Sequence, residues 1–163
     1  MNFDATNFWD SASTPRLPLT KELISLAETA LGVKLPQLLL DLLAIQNGGY
    51  TRGFVFPMSQ KTSWADNHVP LADMFGILPE PAGTTVLNLL DSIYLTGEWG
   101  LPEKQVTLTG DGHWFITLDY RQGSIPTISW IDTELDEDVA VANSFEEFIA
   151  GLVPDSEFDD DTE

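Results

Sequence analysis

The feature that most constrains the fold is a leucine-rich stretch at residues 35–50, with the sequence LPQLLLDLLAIQNGGY. Proline is tolerated as the first residue of a helix, and the residue before a proline is held extended, so we predict a helix that begins at Pro36 with Leu35 as its N-cap. Asp41 is the only charge in this run, which makes the helix apolar on nearly every side. Such a helix must be covered on more than one side.

The triplet Asn47, Gly48 and Gly49 follows this helix. Glycine-rich loops bind anions at helix N-termini, but this triplet lies at a C-terminus, where the helix dipole is negative. We therefore interpret it as a corner in which Asn47 or Gly48 takes the left-handed cap conformation. Gly49 then lets the chain turn into a strand at residues 53–57.

Helical and strand patterns surround this corner. Apolar spacing predicts a helix after Thr20 that ends at Gly32, a short strand at 71–75 and a third helix at 85–95. Residues 104–120 predict a hairpin around Gly-Asp-Gly, and its second strand alternates so that one face meets the core. A further strand at 124–131 contains Pro126, which favours a sheet edge or a strand start. Ser144 begins a closing helix with a capping-box pattern.

This order of elements predicts an α+β fold: a single domain with a largely antiparallel β-sheet and helices packed on one face. The expected domain spans residues 1–154. Residues 155–163 carry six carboxylates in nine positions, and we expect them to form an acidic, frayed tail.

Charge is the strongest signal in the composition. The chain has 7 basic and 26 acidic side chains, a formal net charge of −19, and residues 87–163 hold 2 basic and 18 acidic groups, or −16 of it. Such a field repels nucleic acid and anionic membranes and speeds association with a basic partner. The alternative is that the acidic surface serves solubility alone.

The sequence also bears on compartment and chemistry. It has no cysteine, which excludes disulfides and thiolate metal sites and fits a reducing compartment. Neither a membrane-spanning run nor a basic signal peptide is recognisable, so we expect a cytoplasmic protein. With two histidines and no nucleophile elbow, we expect no catalytic residues, metal or cofactor.

Several short motifs occur in a characteristic order along most of the chain. They are an early tryptophan, a Leu-Gly-x-x-Leu-Pro element between two helices, Asn-Gly-Gly, and a strand that ends in Leu-Asp-Tyr. The residues are Trp9, Leu31, Gly32, Leu35, Pro36, Asn47, Gly48, Gly49, Leu118, Asp119 and Tyr120. In this order and spacing they resemble the SUKH superfamily, and within it the Smi/Knr branch of bacterial immunity proteins and fungal regulators.

The resemblance implies a compact domain without catalytic activity, in which the motif residues have structural roles. It also implies a bacterial immunity protein that binds and neutralises a cognate toxin domain, often a nuclease or deaminase. The alternative implied by the same family is a regulatory or scaffolding protein with an endogenous partner.

Two groups of residues are candidates for partner binding. Trp64 and Trp99 lie in connecting segments, and tryptophan is enriched at interface hot spots. The acidic cluster comprises Asp132, Glu134, Asp136, Glu137 and Asp138. Alternation would place its first three members on one side of an extended segment, which in principle suits a divalent cation, although the EF-hand pattern fails. The resemblance to immunity proteins favours a partner-facing surface that plugs the basic cleft of a nuclease. Core packing for the tryptophans and a merely solvated acidic edge remain the alternatives.

Overall fold

A computed structural model of the chain describes residues 7–10, 18–77, 89–92, 100–110 and 114–158. Within these ranges the helices are α1 (Lys21–Leu31), α2 (Gln37–Ile45) and α3 (Phe145–Ala150). The strands are β1 (Gly49–Pro57), β2 (His68–Met74), β3 (Gln105–Gly110), β4 (Trp114–Asp119), β5 (Thr127–Asp132), β6 (Glu137–Ala142) and β7 (Val153–Pro154). They form two antiparallel sheets, in the orders β2-β1-β7 and β3-β4-β5-β6. The α+β prediction is confirmed, with the strands divided between two sheets.

Helix α1 has the ends that the sequence predicts. The Thr20 hydroxyl accepts a hydrogen bond from the Leu23 N–H at 3.1 Å. At the other end Gly32 takes the left-handed conformation with φ 74°, and its N–H donates to the Glu28 carbonyl. Both ends of α1 thus satisfy main-chain groups that the helix itself leaves unpaired.

Helix α2 begins one residue later than predicted. Pro36 is the N-cap rather than the first helical residue: its ψ of 140° is extended, and its carbonyl accepts from the Leu40 N–H at 3.1 Å. A proline fits there equally well, because the helix does not use the N–H of its cap residue. Leu35, the predicted N-cap, lies before the cap and donates its N–H to the Glu28 carboxylate at 2.9 Å.

The corner after α2 differs in detail from the prediction. Gln46, in an extended conformation, is the C-cap of the helix, whereas Gly48 and Gly49 have φ of 95° and 130°. The Asn47 side chain donates to the Ile77 carbonyl at 2.7 Å and accepts from the Ile77 N–H at 2.8 Å. The corner is therefore bound to the segment that leaves β2 as well as to α2.

Strand β1 is the centre of the three-stranded sheet. It starts at Gly49, four residues before the predicted strand, and β2 starts at His68 rather than residue 71. β1 pairs with β2 over most of its length and with β7 through Val55 and Val153. The longer strands follow from this pairing, which the short apolar runs did not reveal.

Strands β3 to β6 form a meander in which each strand pairs with the next. The hairpin of β3 and β4 is confirmed; its turn at 111–113 lies outside the described residues. All six residues of β4 are buried, so both of its faces are covered, whereas the sequence predicted only that one face meets the core. The second face is covered because Phe115 packs with Leu101 and Ile131, and because polar side chains bond together beside Asp119.

β5 is an interior strand of this sheet, and Pro126 directly precedes it, as one of the two predicted alternatives requires. Residues 133–136 form a turn instead of the predicted extended segment, and β6 follows. The predicted capping of α3 is confirmed, since Ser144 Oγ accepts from the Glu147 N–H at 3.0 Å.

Two predicted segments are described only in part. Of the predicted helix at 85–95, residues 89–92 are described, and Leu89–Asp91 form a 3-10 turn. Of the predicted tail, Asp155–Phe158 form a 3-10 turn, and residues 159–163 lie outside the described ranges.

The main core lies where the helices meet the two sheets. Its largest fully buried side chains are Trp130, Phe8, Phe145 and Phe148. Trp9 joins it at 5% exposure and donates its indole N–H to the Leu42 carbonyl at 2.9 Å. Helix α2 buries Leu39, Leu42 and Leu43, but Ala44 is exposed and Ile45 is 54% exposed, so the helix is covered less completely than its apolar sequence predicts.

Candidate protein-binding surface

Trp64 lies in the connection between β1 and β2 and is 47% exposed. Its ring stands 5.6 Å from that of Trp114, which in turn stacks on the fully buried Trp130 with centroids 4.8 Å apart. The Thr62 hydroxyl accepts from the Trp64 N–H at 3.1 Å. Trp64 is therefore held at the outer end of a row of three indoles, with about half of its surface open to solvent.

Asp132, at the end of β5, is fully buried. One carboxylate oxygen accepts from the N–H groups of Glu134 and Leu135, both at 2.9 Å, and the other accepts from the Ser63 hydroxyl at 2.6 Å. An aspartate that bonds main-chain groups two and three residues ahead closes a turn. The predicted role of Asp132 as an exposed partner-binding carboxylate is thus corrected, because its oxygens are used within the fold.

The Ser63 contacts join two separate loops. Besides its hydroxyl bond to Asp132, Ser63 donates its N–H to the Glu137 carboxylate at 2.9 Å. Trp64 is thereby placed beside the turn at 133–136, where Glu134, Leu135 and Asp136 are exposed. We call the exposed side chains of Trp64, Glu134, Leu135 and Asp136 the Trp64 surface.

The two remaining members of the predicted acidic cluster have partners in the fold. Glu137 accepts from the Trp130 indole N–H at 3.0 Å in addition to Ser63. Asp138 has a side chain that is 45% exposed and forms an ion pair with Arg121 at 2.8 Å. Asp138 is therefore both exposed and paired, Glu137 is bonded within the fold, and Glu134 and Asp136 are exposed on the turn at 133–136.

Arg121 and Asp119 form the centre of a polar network on the outer face of the four-stranded sheet. The Asp119 carboxylate also accepts from Ser129 Oγ at 2.7 Å and from Gln105 Nε2 at 2.9 Å. Burial alone would raise the pKa of Asp119, but the hydrogen bonds from Arg121, Ser129 and Gln105 outweigh it and hold that pKa far below its ordinary value. The same carboxylates, Asp138 and Asp119, raise the pKa of Arg121.

A cleft of about 1220 Å³ lies between the end of α1, the start of β3 and the turn after β4. Its charged lining includes both signs: Glu28, Lys34, Glu103, Lys104 and Arg121. Glu28 is bonded to Leu35 and Lys34, and Arg121 to its two aspartates. Glu28 and Arg121 are thus engaged within the fold, and the cleft offers a partner no single sign of charge.

The remaining tryptophan candidate, Trp99, and the two histidines lie outside the Trp64 surface or outside the described residues. Trp99 and His113 are outside the described residues. His68 lies with its Nδ1 2.8 Å from Asn67 Oδ1. Among the residues that the structure describes, no group of three or more His, Asp or Glu side chains is arranged to hold a metal ion. In the same residues no helix is long and apolar enough to cross a membrane.

Residues 18–151 match the family described as SMI1 / KNR4 (SUKH-1). This range covers 134 of the 163 residues, well over half of the chain. The chain belongs to the SUKH-1 family. That membership confirms the resemblance found in the sequence motifs, and SUKH-1 is known for immunity proteins that generally have no catalytic activity. No match to the chain is found among curated proteins.

Several of the motif residues that carry the resemblance make contacts that hold elements together. The Tyr120 hydroxyl donates to the Lys34 carbonyl at 2.5 Å, which ties the end of β4 to the link between α1 and α2. Burial, together with the negative charge of Glu28, raises the pKa of Tyr120. Asn47 bonds the segment after β2, and Trp9, which precedes the matched range, bonds α2.

Three residues of this SUKH-1 chain were not identified from its sequence. Ser63 and Leu135 lie beside or within the Trp64 surface, and Arg121 lies in the polar network of Asp119. A signal existed for Leu135, because Asp-Thr-Glu-Leu-Asp at 132–136 is a turn sequence opened by an aspartate. Arg121 is the last basic residue of the chain and directly follows Leu-Asp-Tyr. Ser63 gave no local signal, since its partners lie 69 and 74 residues away.

Proposed function

We propose that this SUKH-1 protein is an immunity protein that binds a cognate toxin domain stoichiometrically and neutralises it. The observation that carries the proposal is the Trp64 surface, where a half-exposed tryptophan stands on a stack of buried indoles beside an acidic turn. This arrangement suits the anchoring of another protein.

The position of Trp64 supports its use as an anchor. Tryptophans at protein interfaces dominate binding energy when they are rigid and surrounded by contacts that exclude water. The Trp64 ring is packed against Trp114, so little conformational entropy is lost when a partner covers its open side. Leu135, 61% exposed, adds apolar area on the adjoining turn.

The charge supports a basic partner. The 42 residues after Arg121 contain thirteen carboxylates and no Lys, Arg or His, and Glu134 and Asp136 are exposed within the Trp64 surface. A nuclease toxin must present a basic cleft to phosphates, and a carboxylate surface is complementary to it. The same charge disfavours nucleic acid and anionic membranes as partners. We propose that neutralisation takes place in the cytoplasm of the producing cell, by occlusion of the toxin.

Co-expression tests the proposal directly. The probe is a toxin-like basic domain from an open reading frame immediately upstream of this gene; it is produced with and without this chain, and cell survival is measured at equal toxin dose. We expect survival with the native chain and death with Trp64→Ala, because truncation of a hot-spot tryptophan costs about 2 kcal/mol or more of binding free energy. Tyr50→Ala is the matched control, since Tyr50 is 60% exposed on β1, outside the Trp64 surface.

Each outcome has a clear meaning. Death in the presence of the native, folded chain ends the immunity proposal for that pair. Binding without protection favours the regulatory or scaffolding role instead. Protection that survives Trp64→Ala but is lost with Tyr50→Ala moves the binding surface to β1.

A further inference from the structure

Strand β6 is an outer strand of the four-stranded sheet, paired with β5 on one side. Within the described residues no strand pairs with its other side. The opposite outer strand, β3, is met by other segments: the Phe75 N–H donates to the Leu108 carbonyl and the Thr107 N–H donates to Ser92 Oγ, both at 2.8 Å. The two edges of this sheet are therefore unequal.

The edges of the three-stranded sheet are poor sites for another strand. β2 contains Pro70, which has no N–H to donate, and β7 is two residues long. β6 has six residues and no proline, which is the length of an ordinary strand. Among the described strands β6 is thus the one whose length and sequence suit main-chain pairing with a further strand.

Natural edge strands are commonly protected by charged side chains, above all lysine, by proline or by a bulge. Both charges of β6, Glu137 and Asp138, lie at its start. β6 has neither lysine nor proline, and the one irregularity in its pairing lies near its end, opposite Ile128 and Ser129. Asp138 and Ala140 point outward and are exposed, whereas Val139 and Val141 pack against the core. The first half of β6 is therefore regular and fixed by the core, and no strand of the described ranges covers its outer edge.

Charge selects what the edge can accept. β6 begins with Glu137 and Asp138, and exposed carboxylates stand before it at Glu134 and Asp136 and after it at Glu146 and Glu147. A second copy of this chain carries the same carboxylates around its β6 and the same net charge of −19, so the two copies repel each other. A strand with lysine or arginine side chains meets no such repulsion.

We infer that the outer edge of β6 accepts an extended, basic segment of the partner protein as an added strand. The identity of that partner rests on the proposed function, whereas the edge itself is a property of the fold. Because β6 starts where the turn at 133–136 ends, an added strand lies next to the Trp64 surface. Main-chain hydrogen bonds then supply affinity, and the neighbouring tryptophan and carboxylates supply specificity.

A synthetic peptide tests the inference without the toxin. The probe is a capped seven-residue peptide of alternating lysine and valine, and its matched control carries N-methyl groups on alternate amides. The control keeps every side chain and charge but cannot form one row of main-chain hydrogen bonds. Amide hydrogen exchange of the full chain is followed residue by residue by NMR.

At ten times its Kd the unmethylated peptide is expected to slow exchange of the outward amides of β6 about tenfold, with β2 unchanged. The methylated peptide is expected to have no effect on β6. Equal effects of both peptides, an effect on β2 instead, or no effect on β6 at millimolar peptide each overturn the inference.

The immunity role and the added strand are tested by different measurements and can fail independently. If the peptide protects β6 but the neighbouring toxin still kills, the immunity role fails and the edge stands. If the toxin is neutralised while neither peptide nor toxin slows exchange in β6, the immunity role stands and the added strand is excluded.

Discussion

Among single residues, Gly48 shows most clearly what the corner after α2 requires. It has a positive φ of 95°, and a Cβ built on it stands 2.6 Å from the Gly76 main-chain nitrogen. Gly32, at the end of α1, also has a positive φ. A Cβ built there lies more than 4 Å from every described atom outside the two adjacent residues and the helix backbone. The two glycines therefore separate backbone strain from close packing.

We expect Gly32→Ala to lower the free energy of unfolding by about 1 kcal/mol, through strain alone. Gly48→Ala should cost roughly 3 kcal/mol or more, since main chain has to move as well. Urea unfolding of both variants measures the difference. Equal costs would mean that the contact with Gly76 relaxes freely, and loss of partner binding at full stability would give the corner a functional role instead.

Asp119 makes stability depend on pH in a defined direction. Its pKa in the folded protein lies below the ordinary value of 3.8, so the carboxylate stabilises the fold above that value. The stabilisation is lost as the pH falls from there toward the folded-state pKa. Arg121 stays charged throughout, because its partners raise a pKa that is already high.

Asp119→Asn tests this linkage. At pH 7 we expect the free energy of unfolding to fall by about 1–3 kcal/mol, because buried hydrogen bonds from Ser129 and Gln105 lose a charged acceptor. The difference from the native chain should shrink at pH 3 and below. Urea unfolding at both pH values, with the exposed Asp66→Asn as control, measures it; a difference that grows on acidification contradicts the assignment.

At the scale of elements, local patterns predicted what local contacts determine. Both ends of α1, the cap of α3 and the β3-β4 hairpin depend on neighbours within a few residues, and all four were predicted. The length of β1, the interior position of β5 and the burial of both faces of β4 depend on distant segments. The Trp64 surface was predicted only in part for the same reason. Trp64 and the acidic residues stood out in the sequence, but the contacts of Ser63 with Asp132 and Glu137, which we call the Ser63 clamp, join residues about seventy positions apart.

The clamp between the loop of Ser63 and the turn at 133–136 can be tested by itself. Ser63→Ala removes one donor from the buried Asp132 carboxylate, which should cost about 1–2 kcal/mol of stability. We also expect partner affinity to fall severalfold, since Trp64 is no longer held against the turn. Urea unfolding and calorimetric titration measure the two effects.

Ser59→Ala is the control for the clamp, because Ser59 is an exposed serine of the same connection. If Ser63→Ala loses stability but binds as tightly as Ser59→Ala, the clamp serves the fold alone.

For the whole molecule, the uneven distribution of charge is the main physical property. Arg121 is paired with two carboxylates, Asp119 and Asp138. Residues 122–163, which follow it in the sequence, contribute carboxylates and no Lys, Arg or His. Such a field acts mainly on the rate of encounter with a basic partner and is weakened by salt.

Replacing Glu134 by Gln and Asp136 by Asn should slow association about tenfold at low salt and flatten its salt dependence. Asparagine suits position 136, where φ is 59°. The double variant Glu22→Gln, Asp41→Asn is the control, because it also removes two negative charges, one from α1 and one from α2. Stopped-flow association at several salt concentrations provides the rates; equal slowing by both pairs would assign the effect to net charge alone.

The order of the strands also has a kinetic consequence. β3 to β6 pair only with their sequence neighbours, so this meander forms from short loops that close quickly. The other sheet is completed only when β7 reaches β1, which joins Phe54 to Pro154 across one hundred residues. Closing so long a loop costs entropy that only the packed core can offset. We therefore expect the meander to form early in folding and the β1-β7 pair to form last, as the step that commits the chain to its native state.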